Sequence, residues 1–297
     1  MKSIRFESDN GYTLTFAQDT TRKPYILSRI DGDDMSGDAN SVKIPGRDGA
    51  RTYDLTRSQR YVSIEGHIMP DAKDAQLMGK LMSEFKDNAA RCFDPGFFGT
   101  LYYYAYPGDK GKKLRCRPTG IPAFELPDSW LVRFRVGFES DNAVWESAET
   151  MTASLGMTRN NHRFPWYMGG RIAFAFISVR AIIINTTRYN LYPKVTVYNS
   201  TIPVHVWNET TGTFLKFNKA TGHNHRLVVD VKNATAILEE NINNKWVFKE
   251  NVIHYLTLDS HLTDFVIVPG ENEFKILAAD GEKPILVITA NEIVMGI

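Results

Sequence analysis

The chain has 297 residues, 43% of them hydrophobic and 23% charged, with 35 Lys and Arg against 34 Asp and Glu. This composition excludes a disordered chain, and the even charge, kept on both sides of residue 145, excludes general polyelectrolyte binding of nucleic acid by either half. The length favours two domains, and two cysteines, Cys92 and Cys116, are too few for a disulfide framework.

From Ser3 the sequence alternates apolar and polar residues and predicts a first strand, without the apolar core of a secretory signal. Folding in a reducing cytoplasm, with free buried thiols, is the expectation. The acidic run "DGDDMSGD" at 31–38 is not a calcium loop, because Ser36 stands where glycine is needed and Val42 where glutamate is needed. Next comes "KIPGRDGARTYDL" at 43–55. A phosphate-binding loop would need a lysine and a following helix, and both are missing. The stretch reads as a turn, stiffened by Pro45, with Gly46 and Gly49 free to take φ values other residues avoid.

After the alternating "RYVSIEGHI" at 60–68, the period changes. Residues 71–87 predict one helix, with Ala75, Met78, Met82 and Phe85 on one stripe and Leu77 and Leu81 widening it. Asp71 and Asp74 suit its N-terminus and Lys86 its other end. "TLYYYAY", "PGDKGK" and "KLRCRPTG" predict a hairpin whose basic run at 109–117 reads as a solvated tip. In "SWLVRFRVGFES", Trp130, Val132, Phe134, Val136 and Phe138 share one face and Arg133 and Arg135 the other, as a strand over a one-sided core requires.

Residues 151–171 show few clean alternations and read as a connection with edge elements. The most apolar run, at 172–185, is too short to span a bilayer and carries Arg180, so no membrane span is expected. From Leu191 onward, eight or so short strands separated by polar turns predict an antiparallel β-sandwich. His223 and His225 lack a third ligand nearby, so no metal is expected there. Four Asn-x-Thr triplets, at Asn185, Asn199, Asn208 and Asn233, read as turn formers. No nucleophile elbow or Cys with a plausible base is present, so the chain is not expected to be an enzyme or to carry a cofactor. Trp207 and Trp246 are the candidate sugar-facing aromatics, although a tryptophan on a strand is more often core.

The order of these features resembles the distal tail proteins of long, flexible-tailed bacteriophages (siphophages) and their prophage relatives. In that family a turn Pro-Gly-Arg-Asp-Gly, here Pro45, Gly46, Arg47, Asp48 and Gly49, precedes an alternating strand, a helix and a hairpin containing "GTLYY", here 99–103. The second half resembles the family's galectin-like sandwich, similar to carbohydrate-binding modules, through "NLYPKVTVYN", "NETTGTFLKF", "RLVVDVKNATAI" and "VPGENEFKI". The resemblance implies a mainly β chain: a sandwich-like hub domain over 1–145 with one helix and a hairpin, a connection over 146–189, and a sandwich over 190–297. It implies a hexameric ring at the tail tip, folded and assembled in the bacterial host cytoplasm and carried in the virion. That ring would meet the tail tube protein and the tail-associated tip protein, hold receptor-binding proteins in some relatives, and let DNA pass unbound. The alternative is a carbohydrate-binding module contacting the host wall.

Overall fold

The computed structural model describes residues 2–19, 24–31, 37–43, 50–57, 59–69, 75–128, 131–155, 158–165, 171–177, 180–277 and 284–297. The chain divides into two compact units. One comprises Met1–Glu149 with Ile293–Ile297, the other Thr150–Glu292.

The first unit contains β1 (Ser3–Ser8), β2 (Thr13–Ala17), β3 (Tyr25–Asp31), β4 (Gly37–Lys43), β5 (Ala50–Arg57), β6 (Arg60–Ile68), α1 (Ala75–Cys92), β7 (Gly99–Tyr104), β8 (Lys112–Pro118), β9 (Ala123–Asp128), β10 (Leu131–Ser140) and the start of β11 (Trp145–Leu155). Hydrogen-bonded neighbours run β8-β7-β1-β2-β3-β6-β10. The far end of β10 then pairs back onto β8, Phe138 opposite Pro118 and Glu139 opposite Arg117, so the sheet closes into a barrel. The near end of β10 instead holds β9, with Phe134 opposite Phe124. The sheet can close because β10 is long enough to serve one partner at each end. Among the described residues the fold is mainly β with one α-helix, as the alternating patterns predict.

Alternation fills the barrel. Val132, Phe134, Val136 and Phe138 are all buried, while Arg133 and Arg135 are exposed. Inside, Phe93 lies 5.5 Å from Phe6, 5.9 Å from Phe16 and 5.7 Å from Phe138, and Phe134 lies 5.1 Å from Phe16. Each such buried ring contributes about 1.5–3 kcal/mol from area alone, with more from ring packing. Cys92 and Cys116 are free and buried, and loss of water pushes both thiols up to about 12.

The helix runs to Cys92, five residues past the predicted end at 87. Its apolar stripe continues through Ala89 and Cys92, both buried, and that burial carries the helix on. Its expected start at 71–74 lies outside the described residues. Leu77 does not widen the stripe, being 48% exposed. The helix is tied down near its middle and at its C-terminal end: Tyr25 Oη donates to the Phe85 carbonyl at 3.2 Å, and Asn10 Nδ2 donates to the Arg91 carbonyl at 2.8 Å.

The second unit takes the rest of β11, then β12 (Thr158–Pro165), β13 (Arg171–Ile177), β14 (Ala181–Asn185), β15 (Lys194–Tyr198), β16 (His205–Asn208), β17 (Thr213–Lys216), β18 (His225–Asp230), β19 (Thr235–Ile242), β20 (Lys245–Asn251), β21 (Gly270–Ile276) and β22 (Ile285–Val294). Strands β12 and β13 form a separate hairpin. The others make two antiparallel sheets, β20-β19-β18-β15-β22 and β14-β21-β16-β17. Their inward residues, among them Val195, Val197, Val206, Leu215, Leu227, Val229, Leu238, Phe274, Leu286 and Ile288, are buried, as a two-sheet sandwich requires.

Three buried asparagines organise the loop at 266–268. Asn185, Asn208 and Asn272 donate side-chain amides to the carbonyls of Ile267 (3.1 Å), Val266 (2.8 Å) and Val268 (2.7 Å). Asn185 and Asn208 also accept from the backbone N–H of Thr187 and Thr210, two residues on, which is the turn chemistry their Asn-x-Thr context predicts.

Candidate functional surfaces

The family-signature residues Pro45, Gly46, Arg47, Asp48 and Gly49 lie outside the described residues. The strands on either side of them, β4 and β5, pair antiparallel with Lys43 opposite Ala50.

The two candidate aromatics fall on different sheets. Trp207 sits on β16, on the outward face of the four-stranded sheet, because its neighbours Val206 and Asn208 take the buried phase. The His205 ring stacks on it at 3.5 Å, and Phe214, opposite Trp207 in register, bridges His205 (5.2 Å) and His261 (4.8 Å). Burial holds the His205 ring below the usual imidazole range, helped by Lys216 and opposed by Asp259. Trp246 sits on β20, at the edge of the five-stranded sheet. The Arg226 guanidinium covers its ring at 4.5 Å and Tyr198 meets its edge at 5.5 Å. Arg226 is itself held by Glu239, Nε to Oε2 at 2.5 Å. One face of each indole is thus taken by a side chain of its own sheet, and the two do not share a platform.

Arg226, Glu239 and Tyr198 are readable only in part from sequence. Each lies on a predicted strand, but their meeting depends on a register that places Tyr198 opposite Arg226 and Arg226 opposite Glu239. Beyond Trp246, the β19–β20 hairpin exposes Ile242, Val247 and Phe248 at 50%, 46% and 60%.

The basic run at 109–117 is largely neutralised. Lys110 pairs with Glu149 at 2.9 Å, Arg117 with Glu139 at 3.3 Å, and Arg115 with both oxygens of Asp9. Arg115 in turn holds the Asp9 carboxyl below its ordinary range. Both guanidiniums stand over Phe98, at 5.6 and 5.9 Å, beside exposed Phe97. Exposed pairs of this kind contribute about 0–1 kcal/mol each and leave little free positive field for phosphate.

His225 does not offer a ligand pair with His223. Its Nδ1 meets the His223 carbonyl and its Nε2 meets Lys249 Nζ, each at 2.7 Å, so both ring nitrogens are engaged by protein. No group of three or more His, Cys, Asp or Glu among the described residues is placed to hold a metal ion, and no described helix is long and apolar enough to cross a membrane.

This fold, a barrel carrying a helix followed by a two-sheet sandwich, is similar along its whole length to solved phage structures, a hub protein and a baseplate chain. The Dit protein of phage SPP1, described as a paradigm of the hub adsorption apparatus in phages infecting Gram-positive hosts, is similar over 98% of this chain and 99% of its own, with TM-score 0.61 and 12% identity. A chain of the phage P2 baseplate in its activated conformation with calcium is similar over 100% of both chains, with TM-score 0.58 and 9% identity. The same baseplate with strontium gives 0.55 and 9%, over 97% of this chain. No family model and no curated protein matches the sequence.

Proposed function

We propose that this chain is a structural, non-enzymatic component of a bacteriophage tail tip, a distal tail hub that closes into a hexameric ring and joins the tail tube protein to the tail-associated tip protein. The observation that carries the reading is correspondence along the whole chain, barrel and sandwich in the same order, with a hub protein and a baseplate chain. Residues 1–145 build the ring, and the sandwich, up to residue 292, carries receptor-binding proteins. The nearly even charge of the chain suits a ring that lets DNA pass without binding it. A ring of this kind needs two different complementary surfaces on each subunit. Exposed aromatics with arginines at Phe97, Phe98 and Arg115 have the composition one such surface uses.

The test is mass measurement in solution, alone and with the tube and tip proteins. A sixfold mass, alone or on adding a partner, is expected. A monomer inert to both partners overturns the reading. The alternative, a carbohydrate-binding module, draws on Trp207 and Trp246, and their separation onto two sheets supports it less than one shared platform would.

A further inference from the structure

Residues 293–297 return to the first unit after the whole of the second has been traversed. There they meet a buried cation. Arg60 is 1% exposed, and its Nε donates to the Ala143 carbonyl at 3.0 Å while Nη2 donates to the Met295 carbonyl at 2.9 Å. The next carbonyl along, that of Gly296, accepts from Lys112 Nζ at 2.7 Å. The side chains of Val294 and Ile297 pack against the same core that holds Phe6 and Phe138.

A guanidinium withdrawn from water is tolerated only where acceptors surround it, and here Met295, separated from Arg60 by 235 positions, supplies one. Two cations therefore address successive backbone carbonyls, while apolar side chains on either side, Val294 and Ile297, pack against the core. Recognition of this kind reads a peptide by its backbone and by apolar side chains that flank the bonded carbonyls.

We propose that the first unit contains a peptide-binding site, built from Arg60, Lys112 and the adjoining apolar core, whose ligand class is a short extended apolar peptide and whose resident ligand is the chain's own segment 293–297. Tethering makes binding of that segment an intramolecular event, so a modest intrinsic affinity keeps the site loaded. The same segment supplied as a separate molecule fills the site when the tethered one is removed.

The experiment deletes residues 293–297 and reads limited proteolysis of the first unit, together with the fluorescence of Trp145, which is fully buried in it. Cleavage is expected to accelerate by about tenfold or more, because the site's buried donors lose their acceptors. Adding the acetylated peptide Ile-Val-Met-Gly-Ile restores protection saturably, and a scrambled peptide does not. Unchanged cleavage after deletion overturns the proposal, as does failure of the peptide to act at millimolar concentration or equal rescue by the scrambled one. If the shortened chain does not fold alone, it is refolded with excess peptide: recovery specific to the true sequence supports the site, and no recovery overturns it.

Discussion

The ring of Phe134 lies directly over Gly66, its cross-strand partner. A Cβ built on that glycine would stand 2.6 Å from the ring's Cζ and 2.5 Å from the Ile26 carbonyl oxygen. The glycine is demanded by close packing inside the barrel. Gly66→Ala is expected to destabilise the first unit by about 1–3 kcal/mol, as overpacking does. Adding Phe134→Leu should recover part of the loss, which a double-mutant cycle in denaturant would read as non-additivity.

Asn243 and Asn244 join β19 to β20 with φ of 53° and 62°, the left-handed pair of a type I′ turn. Asn244→Gly should be neutral to slightly stabilising. Asn244→Val should cost about 1–2 kcal/mol, since a β-branched residue is strained in this region. Thermal unfolding of the two variants against the parent chain checks both.

Cys92 and Cys116, pushed up to about 12 by burial, are expected to stay protonated and resist thiol reagents in the native protein. Labelling at pH 8 should be slow without denaturant and rapid with it. Prompt reaction of either thiol in the folded chain would contradict the burial.

Acid should destabilise the protein partly through two imidazoles. Burial lowers His67, with Arg133 adding to the effect, and burial lowers His205, with Lys216 adding. Both are therefore neutral in the fold below the pH at which they charge when unfolded. Their contribution is fully present above the unfolded value of about 6.5 and is lost as pH falls through the depressed folded values. Replacing both with Gln should flatten the decline in unfolding midpoint between neutral pH and about pH 5.

If Trp207 and Trp246 made one sugar platform, losing either would abolish binding to cell-wall glycan. The separation of their sheets predicts instead that each Trp→Ala variant behaves as the parent chain does in a cell-wall pulldown. The Trp246 variant should still lower thermal stability by about 0.5–2 kcal/mol, through lost stacking with Arg226 and Tyr198.

Local periodicity made much of this legible. The alternation from Val132 to Phe138 fixes which face of β10 is buried, and Met82 and Phe85 mark the helix face turned to the core. Arg60 shares the phase of Val62, Ile64 and Ile68, so the alternation points a cation inward. Other features depend on pairings between distant residues. Barrel closure through Phe138 and Pro118, the meeting of Arg226 with Trp246, and the return of Met295 to Arg60 leave no periodic trace, because register between remote strands is decided by the packed whole.

The closed order of strands in the first unit has a mechanical consequence. A sheet with a free margin can be peeled one bond at a time, whereas the hoop in which β10 rejoins β8 leaves none of its own seven strands loose, β9 lying outside it. Tension applied across it must be shared around the circumference, and that unit should yield abruptly, at a higher force than the open-edged sandwich.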